Sequence, residues 1–225
     1  MNDMYRSVAA RLAKMTCCAV YSIDYAAAEG LVFPSVHDEC FAAYCALLQG
    51  ALKGRRIIAI GDSFGANLML SSCLRLRDGG MSLPAAIICI SPYVDMAASG
   101  ASYEYNCRAD PLYGLPKSQS YAQYASAVRR ISPYCGDTPK TQPLLSPAYG
   151  NFRGFSDMFV SCGGLETSAS DSRMLVSRAR QSGVRVQFHE YGGMWHDFAY
   201  MFPRLKESKA AWRHMQLFVD DILSR

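Results

Sequence analysis

Residues 57–67 read Ile-Ile-Ala-Ile-Gly-Asp-Ser-Phe-Gly-Ala-Asn. The first four residues are apolar, as in a buried strand, and residues 64–77 have the periodicity of a helix. Between them stands Gly-x-Ser-x-Gly, the pattern of a tight turn that holds its serine at a helix N-terminus. There the free N–H groups and the helix dipole favour developing negative charge. This context predicts Ser63 as a catalytic nucleophile, with an ordinary serine N-cap as the alternative.

The same alternation of apolar runs and amphipathic segments extends along most of the chain. Strands are predicted over residues 17–23, 56–60, 85–90, 157–162 and 184–191. Helices are predicted over residues 36–48, 64–77, 168–181 and 206–223. Strands that alternate with helices indicate an α/β fold, in which a mostly parallel sheet is covered by helices on both faces.

Residues 101–149 interrupt this alternation, because they are rich in Tyr, Ser and Pro and contain one predicted helix over 118–130. We expect this segment to cross the strand ends, where substrate sites of such folds usually lie. No internal repeat or linker is visible, so residues 1–225 are predicted to form a single domain.

The charge pattern argues against a nucleic-acid-binding protein. The 23 Lys and Arg residues exceed the 19 Asp and Glu residues by only four, and they are scattered in pairs rather than gathered in a stripe. No stretch of about 18 apolar residues predicts a membrane span. No apolar signal core follows the N-terminus.

The chain has nine cysteines, an odd number, and no Cys-x-x-Cys pair that would indicate a thiolate metal site. Several cysteines stand in apolar runs, such as Cys17, Cys18 and Cys89. We expect buried, reduced thiols and therefore a reducing compartment, by default the cytoplasm.

Four histidines compete for the role of the general base. His37 and His214 lie inside predicted helices, and His189 shares the polar face of a predicted strand, where we expect solvent beside it. His196 instead stands in a loop after the last strand, and such a loop can bring an imidazole over the serine. We predict His196 as the base.

The carboxylate that orients the base is expected after the preceding strand, between serine and histidine in the chain. Glu166 stands in the loop directly after that strand. Asp171 stands in the first turn of the next helix, where a carboxylate also has an ordinary role beside the helix dipole. We favour Glu166 and keep Asp171 as the alternative.

Five segments in order along the chain resemble the hormone-sensitive-lipase-like esterases of the α/β-hydrolase fold. The elbow at 61–68 is similar to that family's GDSAGGNL, residues 91–95 to its SPWxD, and residues 193–198 to its GMxHxF loop. Residues 109–112 and 144–147 match two further landmarks, and the resemblance runs from about residue 8 to the end. It implies a serine carboxylesterase of lipid metabolism that acts on short or medium acyl esters through an acyl-enzyme. Such an enzyme takes a small-molecule ester as substrate and needs no metal or organic cofactor.

The main departure from the family is its HGGG loop, since no His-Gly pair occurs in this chain. By comparison with the family, we expect its first strands to be absent, and the N–H of Phe64 is the one obvious oxyanion donor left. Losing one such donor costs about 3–4 kcal/mol of transition-state stabilisation. The bulky Phe64 side chain also replaces the usual small residue and is expected to narrow the acyl site.

Two consequences and two alternatives follow from this departure. In the family, another strand lies between the strands that correspond to residues 17–23 and 56–60. Without it, these two segments must pair directly, or a second copy of the chain must supply the missing strand in a homo-oligomer. The alternative functions are a catalytically impaired scaffold that binds a small molecule, and a related thioesterase or amidase.

Overall fold

Four parallel strands form the sheet of the computed structural model, which describes residues 3–25, 30–115, 119–120, 122–124 and 133–225. Their order across the sheet follows the chain. The strands are β1 (Ile58–Asp62), β2 (Ala86–Ile90), β3 (Asp157–Gly163) and β4 (Val186–Tyr191). The register pairs Asp62 with Ile90 and Gly163 with Tyr191, so the carboxyl ends of all four strands meet at one edge.

Helices of very different length connect the strands and flank them. The described ranges contain α1 (Asp3–Thr16), α2 (Ser35–Gln49), α3 (Ser63–Asp78), α4 (Ser102–Tyr105), α5 (Ala169–Gln181), α6 (Phe198–Met201) and α7 (Lys206–Leu223). Short 3-10 turns lie at Pro133–Cys135 and Pro147–Tyr149.

The core lies on both faces of the sheet because neighbouring residues of a buried strand point to opposite sides. Ile87 packs with side chains of α3 and α5, including Leu70 and Leu175. Its neighbour Ile88 packs on the other face with α1 and α7, including Phe218. Burying each such side chain contributes about 1.5–3 kcal/mol. The predicted mostly parallel sheet with helices on both faces is confirmed.

The other predicted strands and helices each have a counterpart within a few residues, but the strand predicted over 17–23 is wrong. Residues 17–25 form no strand, and both Cys17 and Cys18 are exposed rather than buried. Cys17 has a φ of 54°, which breaks an extended run, and β1 pairs only with β2 among the described residues. The apolar residues of this segment predicted a strand, but no described strand pairs with it. The helix predicted over 118–130 lies largely outside the described residues.

Two other findings bear on the sequence predictions. Within the described parts of the chain, no helix is both long and apolar enough to cross a membrane. All nine cysteines are free thiols. Six of them are buried, Cys45 is partly exposed, and Cys17 and Cys18 are exposed.

Candidate active site

The turn between β1 and α3 carries Ser63 as the first residue of the helix. Ser63 has a φ of 50°, the left-handed region that non-glycine residues rarely occupy, as expected for a strained nucleophile turn. A Cβ atom on Gly61 would lie 2.6 Å from the carbonyl oxygen of Gly65 and 2.7 Å from the backbone of Ala66. The strand and the helix can therefore approach this closely only because residue 61 has no side chain.

His196 follows β4 in the loop before α6, and its imidazole reaches the turn described above. Its Nε2 lies 2.9 Å from the Oγ of Ser63, which is hydrogen-bond distance. The imidazole is buried, and the ring of Tyr113 packs edge-on against it with 4.8 Å between ring centroids. The structure therefore brings the two residues together although 133 positions separate them in the chain.

Glu166 lies in the loop between β3 and α5 and is fully buried. Its Oε2 is 3.2 Å from His196 Nδ1, on the side of the ring opposite Ser63. Its Oε1 accepts hydrogen bonds from Ser91 Oγ at 2.6 Å and from the N–H of Gly163 at 2.5 Å. These donors fix the carboxylate where it can accept the Nδ1–H and set the imidazole tautomer.

The alternative carboxylate, Asp171, makes different contacts. It is also buried, but its Oδ2 accepts the backbone N–H groups of Val94 and Asp95, each at 3.0 Å. Asp171 therefore holds the segment after β2 in place, whereas Glu166 contacts the imidazole.

Asp197 is a residue of this site that the sequence analysis did not single out. Its Oδ2 lies 3.4 Å from His196 Nε2, so a second carboxylate stands beside the nitrogen that faces Ser63. In the sequence, only its position directly after His196 could have pointed to Asp197 as a residue of the site.

The electrostatics of the site favour the charged imidazolium. Burial acts to lower the pKa of His196, but the hydrogen bond to Glu166 and the charges of Asp197 and Glu166 outweigh burial and raise the pKa to about 9. Burial raises the pKa of Asp197, and the nearby imidazolium counteracts part of that increase. The pair therefore titrates together rather than as two independent groups.

The sequence of this chain matches a known family of proteins. The sequence profile of the alpha/beta hydrolase fold matches residues 2–200. The chain belongs to the α/β-hydrolase fold family. An acetyl-hydrolase of Streptomyces hygroscopicus is 31% identical over 208 residues, which cover 92% of this chain and 66% of that protein. An esterase of Acinetobacter venetianus is 31% identical over 211 residues, which cover 92% of this chain and 67% of that protein.

A solved structure places this α/β-hydrolase in the hormone-sensitive-lipase-like branch. A hormone-sensitive lipase from a metagenome library is 30% identical, with a TM-score of 0.80 over 94% of this chain and 69% of its own. The chain thus spans about two thirds of the length of its curated relatives.

Phe64, the predicted oxyanion donor, is the second residue of α3 in this α/β-hydrolase. Its N–H belongs to the first helical turn, where N–H groups have no partner within the helix. Its ring packs edge-on against His37 and Tyr134, with 5.8 Å between centroids in both pairs. The ring is thus held in an aromatic cluster between α2 and α3, which fixes the backbone of residue 64.

The remaining histidines have structural contacts away from Ser63. His37 is buried, with Nδ1 2.7 Å from Tyr134 Oη and Nε2 3.0 Å from Asn67 Oδ1. His189 was expected to face solvent, but its ring stacks on that of His214 at 4.2 Å and is half-buried. Among the described residues, no group of three or more His, Cys, Asp or Glu side chains could hold a metal ion.

Proposed function

We propose that this α/β-hydrolase hydrolyses carboxylic esters of short or medium acyl chains, with Ser63 as nucleophile, His196 as base and Glu166 as the orienting acid. One observation carries the proposal. Glu166, His196 and Ser63 form a continuous line of contacts at 3.2 and 2.9 Å where the strands end. A carboxylate, an imidazole and a serine in this order make an activated nucleophile.

The first half-reaction forms the acyl-enzyme. Ser63 Oγ attacks the ester carbonyl carbon while its proton moves to Nε2 of His196. The resulting oxyanion accepts a hydrogen bond from the N–H of Phe64. Glu166 stabilises the imidazolium by accepting a hydrogen bond from its Nδ1–H. When the tetrahedral intermediate collapses, the C–O bond to the alcohol breaks, and the alcohol takes the proton from Nε2.

The second half-reaction restores the enzyme. Water adds to the acyl carbon as His196 takes one of its protons, and the ester bond to Ser63 then breaks. The carboxylic acid leaves, and Ser63 Oγ regains its proton from Nε2. The name of one relative, an acetyl-hydrolase, supports a small acyl group for this chain.

The rate is expected to be modest for the chain of residues 1–225. The family's HGGG loop supplies further oxyanion donors, and no His-Gly pair occurs in this sequence. With one donor fewer, kcat is expected to be about a hundred- to a thousandfold lower than with a complete oxyanion hole. This same feature supports the second candidate, a scaffold that binds a small ester without turning it over.

Hydrolysis of p-nitrophenyl acetate and butyrate separates the two candidates. We compare the parent with Ser63→Ala and with a matched control, Ser224→Ala, whose serine is exposed at the end of α7. The expected result is turnover that only Ser63→Ala abolishes. Equal rates in all three proteins would contradict the esterase and favour the binding scaffold. Labelling by an organophosphate, located at Ser63 by peptide mass, would show independently that this hydroxyl is activated.

A further inference from the structure

The Nε2 atom of His196 has two neighbouring acceptors. Ser63 Oγ lies at 2.9 Å and the Asp197 carboxylate at 3.4 Å. A neutral imidazole that acts as base accepts the serine proton at Nε2, so in that form Asp197 gains nothing from its position. A protonated imidazole carries a positive charge, which a carboxylate at this distance stabilises. The contact with Asp197 therefore favours one protonation state of the base over the other.

The backbone holds Asp197 firmly in this position. The residue has a φ of 50° and a ψ of 24°, in the left-handed region that Asp and Asn tolerate better than most residues. Its N–H donates to Ser91 Oγ at 3.0 Å, and that hydroxyl in turn donates to Glu166. Both acidic residues that flank the imidazole are thus hydrogen-bonded to the same serine.

The Ser91 side chain hydrogen-bonds the Asp197 carboxylate, but one carboxylate oxygen lacks a donor among the described residues. Asp197 is 8% exposed, and no hydrogen-bond partner for its buried Oδ1 exists within the part of the chain that the structure describes. A buried carboxylate with an unsatisfied oxygen gains from a nearby positive charge. The His196 imidazolium can supply that charge.

Charged and titratable groups face His196 from every element around it. Glu166 approaches from the loop after β3, Asp110 from the segment between β2 and β3, and Asp62 from the end of β1. Tyr113 covers the ring edge. Asp110 accepts the N–H groups of Leu112 and Thr167, and Asp62 accepts the hydroxyl of Tyr5 at 2.7 Å. Asp197 differs from both in its direct approach to Nε2.

We propose that Asp197 is a positioning residue whose carboxylate, at ion-pair distance from Nε2, stabilises the His196 imidazolium over the neutral ring and so sets the pH at which the base becomes available. This inference rests on the proposed function for its kinetic consequence. Its structural part, that Asp197 stabilises the protonated ring, holds whether or not the protein turns over esters.

The substitution Asp197→Asn tests the proposal with little disturbance. Asn has the same size and tolerates the left-handed backbone, so the fold and the N–H bond to Ser91 are expected to persist. The negative charge next to Nε2 is lost. Asp197→Glu keeps the charge and serves as the conservative variant. Asp62→Asn removes another negative charge that interacts electrostatically with His196 but is hydrogen-bonded to Tyr5, and is the matched control.

The first measurement is the proton NMR titration of the His196 ring. The chain has four histidines, and the His196 signal is assigned by its loss in His196→Asn. We expect a midpoint near pH 9 in the parent and a fall of about one pH unit in Asp197→Asn, the size of shift that a close opposite charge produces. Asp197→Glu should retain the parent midpoint.

The second measurement is the pH profile of kcat/KM, which reports the ionisation of the free enzyme. In this profile kcat/KM rises with pH as His196 loses its proton. In Asp197→Asn the midpoint of that rise should move to lower pH by the same amount as the NMR midpoint. The plateau value of kcat/KM should fall, because the lost charge also stabilised the imidazolium in the transition state. A titration midpoint that does not move in Asp197→Asn, or that moves equally in Asp62→Asn, would overturn the proposal. Absence of turnover in the parent would instead contradict the proposed function and leave the NMR result decisive for Asp197.

Discussion

Glu166 and Asp171 are both buried carboxylates of the same loop and helix, yet they bind different groups. Glu166→Gln should lower kcat about 10³- to 10⁴-fold, because an amide cannot stabilise the imidazolium or fix its tautomer. Asp171→Ala should leave kcat per folded molecule nearly unchanged. It should lower the free energy of unfolding by about 1–3 kcal/mol, because two backbone N–H groups of the β2 loop lose their acceptor. Kinetics and urea denaturation of both variants check these opposite outcomes, and an exchange of the two phenotypes would contradict the assignment.

The sequence narrowed the acid to these two residues and favoured Glu166, but it could not show what each carboxylate contacts. Both follow the same strand, and their difference depends on where the chain after β2 passes. Asp171 meets that segment at residues 94–95, while Ser91 turns Glu166 toward His196. The contact of Asp197 with His196 escaped prediction for a similar reason, since its side-chain direction depends on one left-handed residue in a loop.

At the scale of elements, α2 and α3 are joined by the buried pair His37 and Asn67. Burial lowers the pKa of His37 from 6.5 to about 4. Between pH 6.5 and pH 4, His37 is therefore protonated in the unfolded chain but neutral in the folded chain. Stability therefore falls as the pH falls through this window, by up to about 3 kcal/mol from His37 alone. In His37→Gln, whose side chain can hydrogen-bond but does not titrate here, the fall between pH 6.5 and 4 should be smaller than in the parent. Parallel slopes in urea denaturation would refute this.

Element prediction succeeded where an apolar run has neighbours that bury it. Ala86–Ile90 lies between two strands and is buried at every position. Residues 17–23 are equally apolar in composition, but pairing is a property of two segments, and a pattern in one segment does not reveal whether a partner is present.

At the scale of the whole molecule, the open side of β1 leads to a prediction about assembly. Among the described residues β1 pairs only with β2, so its other edge presents unpaired backbone groups. We expect the chain of residues 1–225 to self-associate, and hydrogen exchange of Ile58–Asp62 to slow as the protein concentration rises. Light scattering across a dilution series checks this, and a monodisperse monomer at every concentration would contradict it. The sheet class itself was predictable from the sequence, because the alternation of strands and helices extends over most of the chain.

Because the strand and the helix approach closely at Gly61, the two glycines of the turn differ in whether they tolerate a side chain. A Cβ on Gly65 would meet nothing nearer than Asp62 Oδ1 at 3.8 Å, whereas one on Gly61 would collide with the backbone. In a library randomised at both positions and selected for ester cleavage, the first position should return glycine alone, while the second should also return alanine. Genome searches that demand both glycines would then overlook working relatives, because the turn tolerates a small side chain at the second glycine position.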